Sequence, residues 1–341
     1  MNRIGKKLGV QTFALASPPV IIATGTVVGP FEGKNAYHDD YDMIAPDLSL
    51  GQSSFELAEK EMMTNACQKA MQKAKRSEKD IDLFIAGDLL NQLITSGYSA
   101  SYIGLPFFGV YGACSTSMAS LGLASLLIDG GFIGTALTAT SSHNATAERQ
   151  YRYPTEYGNQ KRPYAQWTVT GAGAALITTE GKGPRVTHVT VGKVTDLGTA
   201  DPLNLGAAMA PAAVASILQH FADTKRTPED YDLIVTGDLG NFGAALFQRW
   251  LKETGGIDLG ARYFDCGAEI YDRKKFPKVQ SGGSGCGCSA VVVFGHLFKE
   301  MIHGRYRRIL VAATGALHSP TSVLQKQTIP CIAHAIAFEF P

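Results

Sequence analysis

The sequence predicts an α/β protein built from two copies of one α/β half, arranged in five layers (αβαβα). The first observation is a repeat, because residues 79–92 return as residues 229–242 at a constant offset of 150. The second is a pair of helix-forming segments, each opened by a cysteine, that carry almost no charge. Repeats of about 150 residues are far longer than solenoid units, so they indicate a duplicated domain half. We therefore expect any site to lie where the two copies meet.

The repeat continues through the two cysteine segments at a second offset, 174. Residues 114–140 align with residues 288–314, so that cysteine meets cysteine and an Ala-Thr pair meets an Ala-Thr pair. Residues 112–128 carry no charge, and residues 279–298 carry none apart from His296. A surface helix shows a polar stripe, which both segments lack, so both helices are predicted to lie buried between two sheets. That burial produces the five layers.

Apolar runs alternate with amphipathic segments in both copies, which predicts mainly parallel sheets covered by helices. In the first copy, a helix over residues 54–75 begins at a serine cap and ends in lysines. A further helix begins at Cys114. The first copy's predicted strands are residues 18–29, 82–88, a short stretch within 107–113, 135–142 and 171–180.

A Gly-Lys-Gly-Pro turn at residues 181–184 is the predicted seam, which divides the chain into halves 1–180 and 181–341. The second half repeats the order of the first. Its predicted strands are residues 186–194, 232–238, 308–314 and 332–340, and its predicted helices are residues 211–224 and 288–302.

The composition is that of a globular protein with reduced thiols. Lys and Arg number 31 against 30 Asp and Glu, for a net charge of +1. Since no basic run is interleaved with aromatic residues, we expect no nucleic-acid binding. Six cysteines that form no tight framework in 341 residues fit cytosolic thiols better than disulfides.

The N-terminus is a poor match to a signal sequence. Residues 14–16 resemble a cleavage triplet, but the apolar stretch before them is short and is broken by Gln11 and Thr12. No run approaches the roughly 18 apolar residues that a spanning helix needs. We expect a soluble protein with peripheral membrane association at most.

Cys114 is the candidate nucleophile. At a helix N-terminus, free N–H groups and the helix dipole would stabilise its thiolate for acyl transfer. The alternative is a small buried residue at a crowded turn. A nucleophile also needs a proton relay and oxyanion donors, which would come from strand ends. The candidates there are Asp238, Asn241, residues 285–288, residues 314–316, His143 and His318, although a lone histidine is more often structural.

Two further segments carry candidate binding groups. Cys286 and Cys288 lack the second pair that a zinc site needs, and the surrounding glycines contain neither a GxGxxG motif nor a Walker lysine, so we expect no metal and no nucleotide. These glycines indicate close backbone approach to a ligand or to the other cysteine helix. Residues 143–166 are basic and tyrosine-rich; they would clamp a carboxylate through arginine, or form an ordinary solvated loop or subunit contact.

The chain resembles the thiolase superfamily, especially 3-oxoacyl-ACP synthase III-type condensing enzymes, through residues 113–117 (ACSTS) and residues 167–177 (WTVTGAGAALI). The resemblance covers nearly the whole chain. It implies the five-layered thiolase fold, a common tendency to dimerise and a nucleophile at Cys114. It also implies catalytic groups that this chain lacks.

In these enzymes a histidine starts an H-x-x-N arrangement, and here that position is Asp238, although Asn241 is kept. The second catalytic group would fall at residues 286–288, which read Cys-Gly-Cys. A carboxylate repels a developing oxyanion. Because each lost oxyanion donor typically costs 10²–10³-fold in rate, decarboxylative condensation is not expected.

Residues 29–43, 112–125 and 280–297 resemble more closely the stage V sporulation protein AD family of spore-forming bacteria. That resemblance implies a protein made in the forespore cytoplasm and associated peripherally with the spore inner membrane. It also implies binding of dipicolinic acid (pyridine-2,6-dicarboxylate) beside the other membrane proteins of a transport complex, for uptake in sporulation and release in germination, with no cofactor. Whether calcium accompanies the ligand and whether the protein is a homodimer stay open.

We therefore expect a non-catalytic ligand pocket between the two copies. The alternatives are an acyltransferase acting on acyl-CoA or acyl carrier protein through Cys114, and a purely structural partner with an empty pocket. The predicted ligand-binding residues are Cys114, His143, Asp238, Asn241, Cys286 and Cys288, with Arg149, Arg152 and Lys161 as carboxylate partners.

Overall fold

The computed structural model describes residues 5–151 and 162–341. Strands and helices alternate through both halves, as the hydrophobic pattern predicts. The strands are β1 (Lys6–Leu8), β2 (Thr12–Ala14), β3 (Val20–Val28), β4 (Met43–Ile44), β5 (Leu83–Gly87), β6 (Phe107–Gly109), β7 (Thr135–Ser142), β8 (Trp167–Thr168), β9 (Gly171–Thr178), β10 (Arg185–Thr190), β11 (Leu233–Thr236), β12 (Tyr263–Asp265), β13 (Gly283–Ser284), β14 (Arg308–Ala316) and β15 (Cys331–Glu339). The helices are α1 (Phe55–Ala74), α2 (Ile94–Ile103), α3 (Thr116–Asp129), α4 (Asn144–Tyr151), α5 (Leu205–Thr224), α6 (Gly240–Gly255), α7 (Cys266–Glu269), α8 (Cys286–Val291), α9 (Phe298–Ile302) and α10 (Pro320–Leu324).

The sheets repeat one strand order in each half, which confirms the duplication. The order is β6-β5-β7-β9-β3 in the first half and β12-β11-β14-β15-β10 in the second. In each half β9 or β15 runs against the other four strands, so the sheets are mixed but mainly parallel. The two halves join where β3 meets β10, at the pair Val20 and Arg185.

Five layers follow from how the helices pack. Helices α1 and α2 cover the outside of the first sheet, and α5 and α6 cover the outside of the second. Helix α3 contacts strands of both sheets, and α8 packs beside it. The hydroxyls of Ser117 and Ser289 lie 2.7 Å apart and join these two central helices. The charge-poor cysteine segments are therefore buried between the sheets, as predicted.

The ends of three helices differ from the sequence prediction. Cys114 does not open a helix, because α3 begins at Thr116 and Ala113 adopts a left-handed φ of 50°. The second central helix begins at Cys286, and a π-helical segment (Val292–Leu297) links α8 to α9. Helix α5 extends six residues ahead of the predicted start at Pro211, because the apolar residues before this proline pack into the second half's core.

Helix α5 also changes one expectation about membranes. Within residues 5–151 and 162–341 it is the one helix long and apolar enough to cross a bilayer, a possibility that the sequence analysis missed. It is mostly buried against β14, β15 and α6, which is the environment of a core helix.

Candidate functional site

A narrow cavity of about 30 Å³ lies where the two halves meet. Space of that size holds roughly one or two water molecules. Its walls come from both copies, at the ends of equivalent strands, in agreement with the expected position of the site. The lining residues are Leu89, Tyr111, Ala113, Cys114, Ala147, Tyr151 and Thr168 from the first half and Leu205, Ser284, Gly285, Ala316 and His318 from the second.

Cys114 forms the first member of a directed chain of polar groups. The Ser284 hydroxyl donates to Asp238 Oδ2 at 2.7 Å, so its lone pairs are left to face the thiol. The Cys114 sulfur lies 3.9 Å from that hydroxyl oxygen and serves as a weak donor to it. These two hydrogen bonds together keep the proton on the sulfur. Burial, together with the nearby charge of Asp238, holds the pKa of Cys114 well above its usual value.

Asp238 is a buried acceptor rather than a proton relay. Besides Ser284, it accepts hydrogen bonds from the Thr314 hydroxyl at 2.7 Å and from the backbone N–H of Gly285 at 3.0 Å. Burial raises the pKa of Asp238, and these hydrogen bonds oppose that shift. The carboxyl therefore ties three segments of the second half together beneath the thiol.

Glycines allow the second half to approach the Cys114 loop closely. A Cβ built on Gly315 of β14 would lie 2.1 Å from the carbonyl oxygen of Gly112, and one on Gly287 would lie 2.4 Å from that of Gly171. No side chain fits at such distances. The glycines near Cys286 were expected to mark approach to a ligand or to the other cysteine helix, whereas Gly287 approaches strand β9 at Gly171.

Three aromatic rings surround the mouth of the cavity. The hydroxyls of Tyr111 and Tyr151 lie 3.5 Å apart, and the rings of Tyr151 and His318 have centroids 5.1 Å apart. Tyr151 also donates a hydrogen bond to the Leu89 carbonyl. Burial raises the pKa of Tyr111 to about 12, so its hydroxyl stays protonated at neutral pH.

An outer groove continues from this mouth across the first half. Its inner part, about 260 Å³, shares Tyr111, Tyr151 and His318 with the cavity. Its outer part, about 330 Å³, is connected to the inner part through residues 90–92. Arg149 lies in the outer part, where its guanidinium is hydrogen-bonded to Glu56. The one predicted cationic partner that the structure describes is thus on the groove, not in the cavity.

Other predicted residues serve the fold around the cavity. The Cys286 thiol donates to the Ala113 carbonyl at 3.1 Å, and Cys288 is buried in the central core. The Asn241 amide donates to the Ser281 carbonyl at 3.0 Å. His143 is buried, with Nε2 2.8 Å from the Leu48 carbonyl oxygen.

None of these four residues lines the cavity in the part of the chain that the structure describes. Burial lowers the pKa of His143, while its hydrogen bond to the Leu48 carbonyl acts in the opposite direction. Arg152 and Lys161 lie outside the described residues, so their part in the site stays a prediction. Across residues 5–151 and 162–341, no three His, Cys, Asp or Glu side chains form a group that could hold a metal ion.

Sequence reasoning missed Ser284, Tyr111 and Tyr151. Ser284 directly precedes the Gly285–Cys288 loop that was singled out, and its role depends on which way its hydroxyl points. Tyr111 lies three residues before Cys114, and this closeness in sequence was the one signal that could have identified it. Tyr151 falls in the tyrosine-rich insert, but nothing in the sequence distinguishes it from its neighbours there.

Comparison with solved structures supports the fold. The chain resembles 3-oxoacyl-[acyl-carrier-protein] synthase III from Aquifex aeolicus VF5, with a TM-score of 0.58, 15% identity and coverage of 94% of this chain and 100% of that one. It is similar to the OleA protein of Xanthomonas campestris, with a TM-score of 0.57, 15% identity and coverage of 98% and 100%. The synthase III of Pseudomonas aeruginosa PAO1 gives a TM-score of 0.57 at 13% identity, covering 95% and 98%. At such identities the likeness establishes the thiolase-type fold alone.

Sequence comparison is more specific. The chain is 48% identical over 334 residues to the Stage V sporulation protein AD of Bacillus subtilis strain 168, covering 98% of both chains. Residues 9–339 match the family described as Stage V sporulation protein AD. By both the extent of the match and the identity, the chain belongs to the stage V sporulation protein AD family.

Proposed function

We propose that this protein binds dipicolinate without transforming it, at the mouth of a former acyl pocket. In this proposal it works at the spore inner membrane as a peripheral component of a transport complex, together with the other membrane proteins of that complex. It would act in uptake of the ligand during sporulation and in its release during germination. The membership of a sporulation family and the fold of acyl-transferring enzymes support a binding protein derived from a catalyst.

The observation that carries the proposal is the Cys114–Ser284–Asp238 chain. A condensing enzyme needs a thiolate with a base or donor beside it, whereas here the thiol faces an acceptor that is itself directed at a carboxyl group. A negative charge near the sulfur disfavours both the thiolate and the oxyanion of an acyl intermediate. The arrangement therefore opposes acyl-transfer chemistry at Cys114.

The size of the cavity supports the same conclusion. Acyl transfer requires room beside the sulfur for the acyl group, and the cavity of about 30 Å³ has room for little more than water. The groove outside it, with parts of about 260 and 330 Å³, approaches the size of ordinary small-molecule sites. We therefore place the ligand in the groove, outside the Cys114 cavity.

The chemistry of the groove suits a flat aromatic dicarboxylate. Tyr111, Tyr151 and His318 offer ring faces at one end, and Arg149 offers a bidentate cation at the other. Side-chain amides of Asn91, Gln92 and Gln150 lie between. A ligand carboxylate would have to displace Glu56 from Arg149, which exchanges one ion pair for another.

Calorimetric titration with dipicolinate and with isophthalate, which keeps both carboxylates but lacks the ring nitrogen, tests the proposal. We expect saturable binding of dipicolinate, weakened about tenfold or more by Tyr111→Ala, which removes one ring face. Phe132→Ala is the control, since that ring is 80% exposed beyond the other end of α3. Repeating the titration with calcium and with a chelator shows whether calcium is bound with the ligand.

Two results would decide against this function. If the heat of titration does not saturate with dipicolinate, dipicolinate is not the ligand. Mass-spectrometric detection of an acyl adduct on Cys114 after incubation with acyl-CoA would instead support the acyltransferase alternative.

A further inference from the structure

A cluster of exposed cations lies on the second half, away from the groove's lining. Arg273, Lys274, Lys275 and Lys278 are all exposed, and Lys34 of the first half joins them through a shared aromatic contact described below. We call these five residues the basic patch. The sequence expectation that no basic run is interleaved with aromatic residues is wrong here, because Phe276 lies within this run and the net charge of +1 conceals it.

An exposed aromatic ring lies within the basic patch. Phe31 is 39% exposed, and its ring centroid lies 5.1 Å from that of Phe276 and 6.0 Å from that of Trp167. The Lys34 ammonium lies 5.9 Å from the Phe31 ring centroid, which joins Lys34 to the run 273–278. The ring therefore packs on two other rings, beside Lys34 and beside Phe276 of the run 273–278.

Within residues 269–279, four exposed cations stand against two acids. Asp272 pairs with Lys275 at 3.9 Å, and Glu269 is the other acid of the surrounding segment 269–279. Glu32, between Phe31 and Lys34 in sequence, is buried and accepts hydrogen bonds from Tyr271 and from the Thr170 backbone. With a chain total of +1, a local excess of cations here means that the rest of the chain carries a net negative charge.

We propose that the basic patch docks the protein on the surface of an anionic lipid bilayer, with Phe31 entering the headgroup region. Clustered Lys and Arg side chains are attracted to anionic headgroups, and an aromatic ring is stable at the boundary between water and acyl chains. A protein partner is the less favoured occupant, because the surface combines long flexible cations with one ring rather than with an apolar core.

The basic patch is connected to the Cys114 cavity through the two-stranded sheet β8–β13. Trp167, which packs on Phe31, precedes Thr168, and Thr168 and Ser284 of these strands both line the cavity. Docking on lipid would thus hold the cavity wall close to the membrane. The docking does not depend on the proposed ligand, and it is tested with none present.

Co-sedimentation with vesicles tests the inference. The full-length protein is mixed with vesicles of phosphatidylcholine alone or of phosphatidylcholine with phosphatidylglycerol. We expect binding to the anionic vesicles alone, and its loss at ~1 M salt, where the Debye length falls to ~3 Å. The triple variant Arg273→Gln, Lys274→Gln, Lys275→Gln should reduce the bound fraction about tenfold or more, and Phe31→Ser should reduce it less.

The matched control is the triple variant Lys75→Gln, Arg76→Gln, Lys79→Gln, which removes the same charge at a site where Glu78 and Asp80 are interspersed. It should bind vesicles as the unmodified protein does. Equal loss in both triple variants, or no vesicle binding at low salt, would overturn the proposal. Binding of single-stranded nucleic acid with higher affinity than the anionic vesicles, abolished by the 273–275 variant, would overturn it in favour of a different partner. Thermal melting of each variant excludes unfolding as the cause.

Discussion

The hydroxyl of Ser284 donates to Oδ2 of Asp238 at 2.7 Å, and this single hydrogen bond fixes the behaviour of the thiol above it. Because that proton is committed to the carboxyl group, the hydroxyl can only accept from Cys114, 3.9 Å away. Asp238 thus holds the sulfur protonated through this hydroxyl. The neighbouring Thr314 and Gly285 donors fix the carboxyl in the same place.

Replacing Asp238 should make the cysteine more reactive. Asp238→Asn removes a negative charge that raises the pKa of Cys114, so the pKa should fall and alkylation by iodoacetamide at pH 8 should become several-fold faster. Peptide mass spectrometry after timed quenching measures the rate at this residue. Asp265→Asn, which changes another buried carboxyl of the same half, is the control and should leave it unchanged. Equal rates in all three proteins would contradict the role assigned to Asp238.

Single and double substitutions at the contact between the two central helices should not have additive effects on the free energy of unfolding. The hydroxyls of Ser117 and Ser289, both buried, bond to each other at 2.7 Å. Ser289→Ala leaves the other hydroxyl without that partner and should cost about 1–3 kcal/mol, whereas the double alanine variant should cost less than the sum of the single ones. Urea denaturation measures the free energies of unfolding. Strict additivity would show that the two hydroxyls do not interact.

The duplicated fold was predictable because the repeat in sequence is also a repeat in hydrophobic pattern. Both copies keep their strands and charge-poor central helices, and the structure gives both the same strand order. Burial of the central helices was therefore visible at residues 112–128 without any structure. The exact helix starts were not, because the left-handed turn at Ala113 and the extension of α5 ahead of Pro211 depend on tertiary packing.

The site was less predictable than the fold. Cys114 and Asp238 were found because they fall at strand ends or at helix starts in the repeat. Tertiary contacts decide the rest: His143 bonds to Leu48, 95 residues away in sequence, rather than to the cysteine. Ser284 could not be distinguished from other small residues in its loop, since its function follows from one hydrogen bond to a residue 46 positions earlier.

A buried carboxyl group on α1 should make the protein less stable as pH rises. Burial, with the charge of Asp88 next, raises the pKa of Glu59 to about 8, against about 4.3 for an unperturbed glutamate. Between these two pH values the native state holds a proton on Glu59 that the unfolded chain releases. The contribution of Glu59 to stability is therefore fully present below pH ~4.3 and is lost as pH rises through about 8. Glu59→Gln should flatten the dependence of Tm on pH between these values.

The glutamine variant keeps the local hydrogen bonds, because Ser141 and Thr146 can bond to an amide as they do to the carboxyl group. Calorimetric melting at a series of pH values measures the slope. Glu61→Gln, on the same helix but reached by solvent, should retain the original slope. Some slope should persist in Glu59→Gln, because burial also raises the pKa of Glu32 and of Asp265 to about 7.

The ion pair on the outer groove gives a matched test of the ligand position. Arg149→Gln removes the groove's guanidinium and should weaken dipicolinate binding about tenfold or more. Glu56→Gln leaves the guanidinium free of its competing carboxylate and should strengthen binding by a few-fold. Unfolding would weaken dipicolinate binding in both variants, so it would not produce opposite changes in affinity. Titration calorimetry at equal ionic strength measures both, and an unchanged affinity in Arg149→Gln would place the ligand elsewhere.

An aromatic face at the edge of the first sheet, where the Lys60 ammonium lies 4.5 Å from the Tyr102 ring centroid, should mediate self-association. No charged residue occurs between Asp88 and Asp129, and this segment exposes Tyr98 (55%), Tyr102 (61%) and Phe108 (56%) on α2 and β6. Strand β6 ends the order of its sheet, so its outer edge is unpaired by the described residues. Tyrosine enrichment with charge depletion is typical of interface cores.

We therefore expect a homodimer in sedimentation velocity that the double variant Tyr102→Lys, Phe108→Lys converts to a monomer. Lysines placed on both copies of a two-fold interface repel and are costly to desolvate, so even a large interface should separate. Phe132→Lys adds a cation at a more exposed ring (80%), just after the C-terminal end of α3, and should leave the dimer intact. A monomer in the unmodified protein at tens of micromolar, or a dimer that survives both lysines, would show that this face has another partner or none.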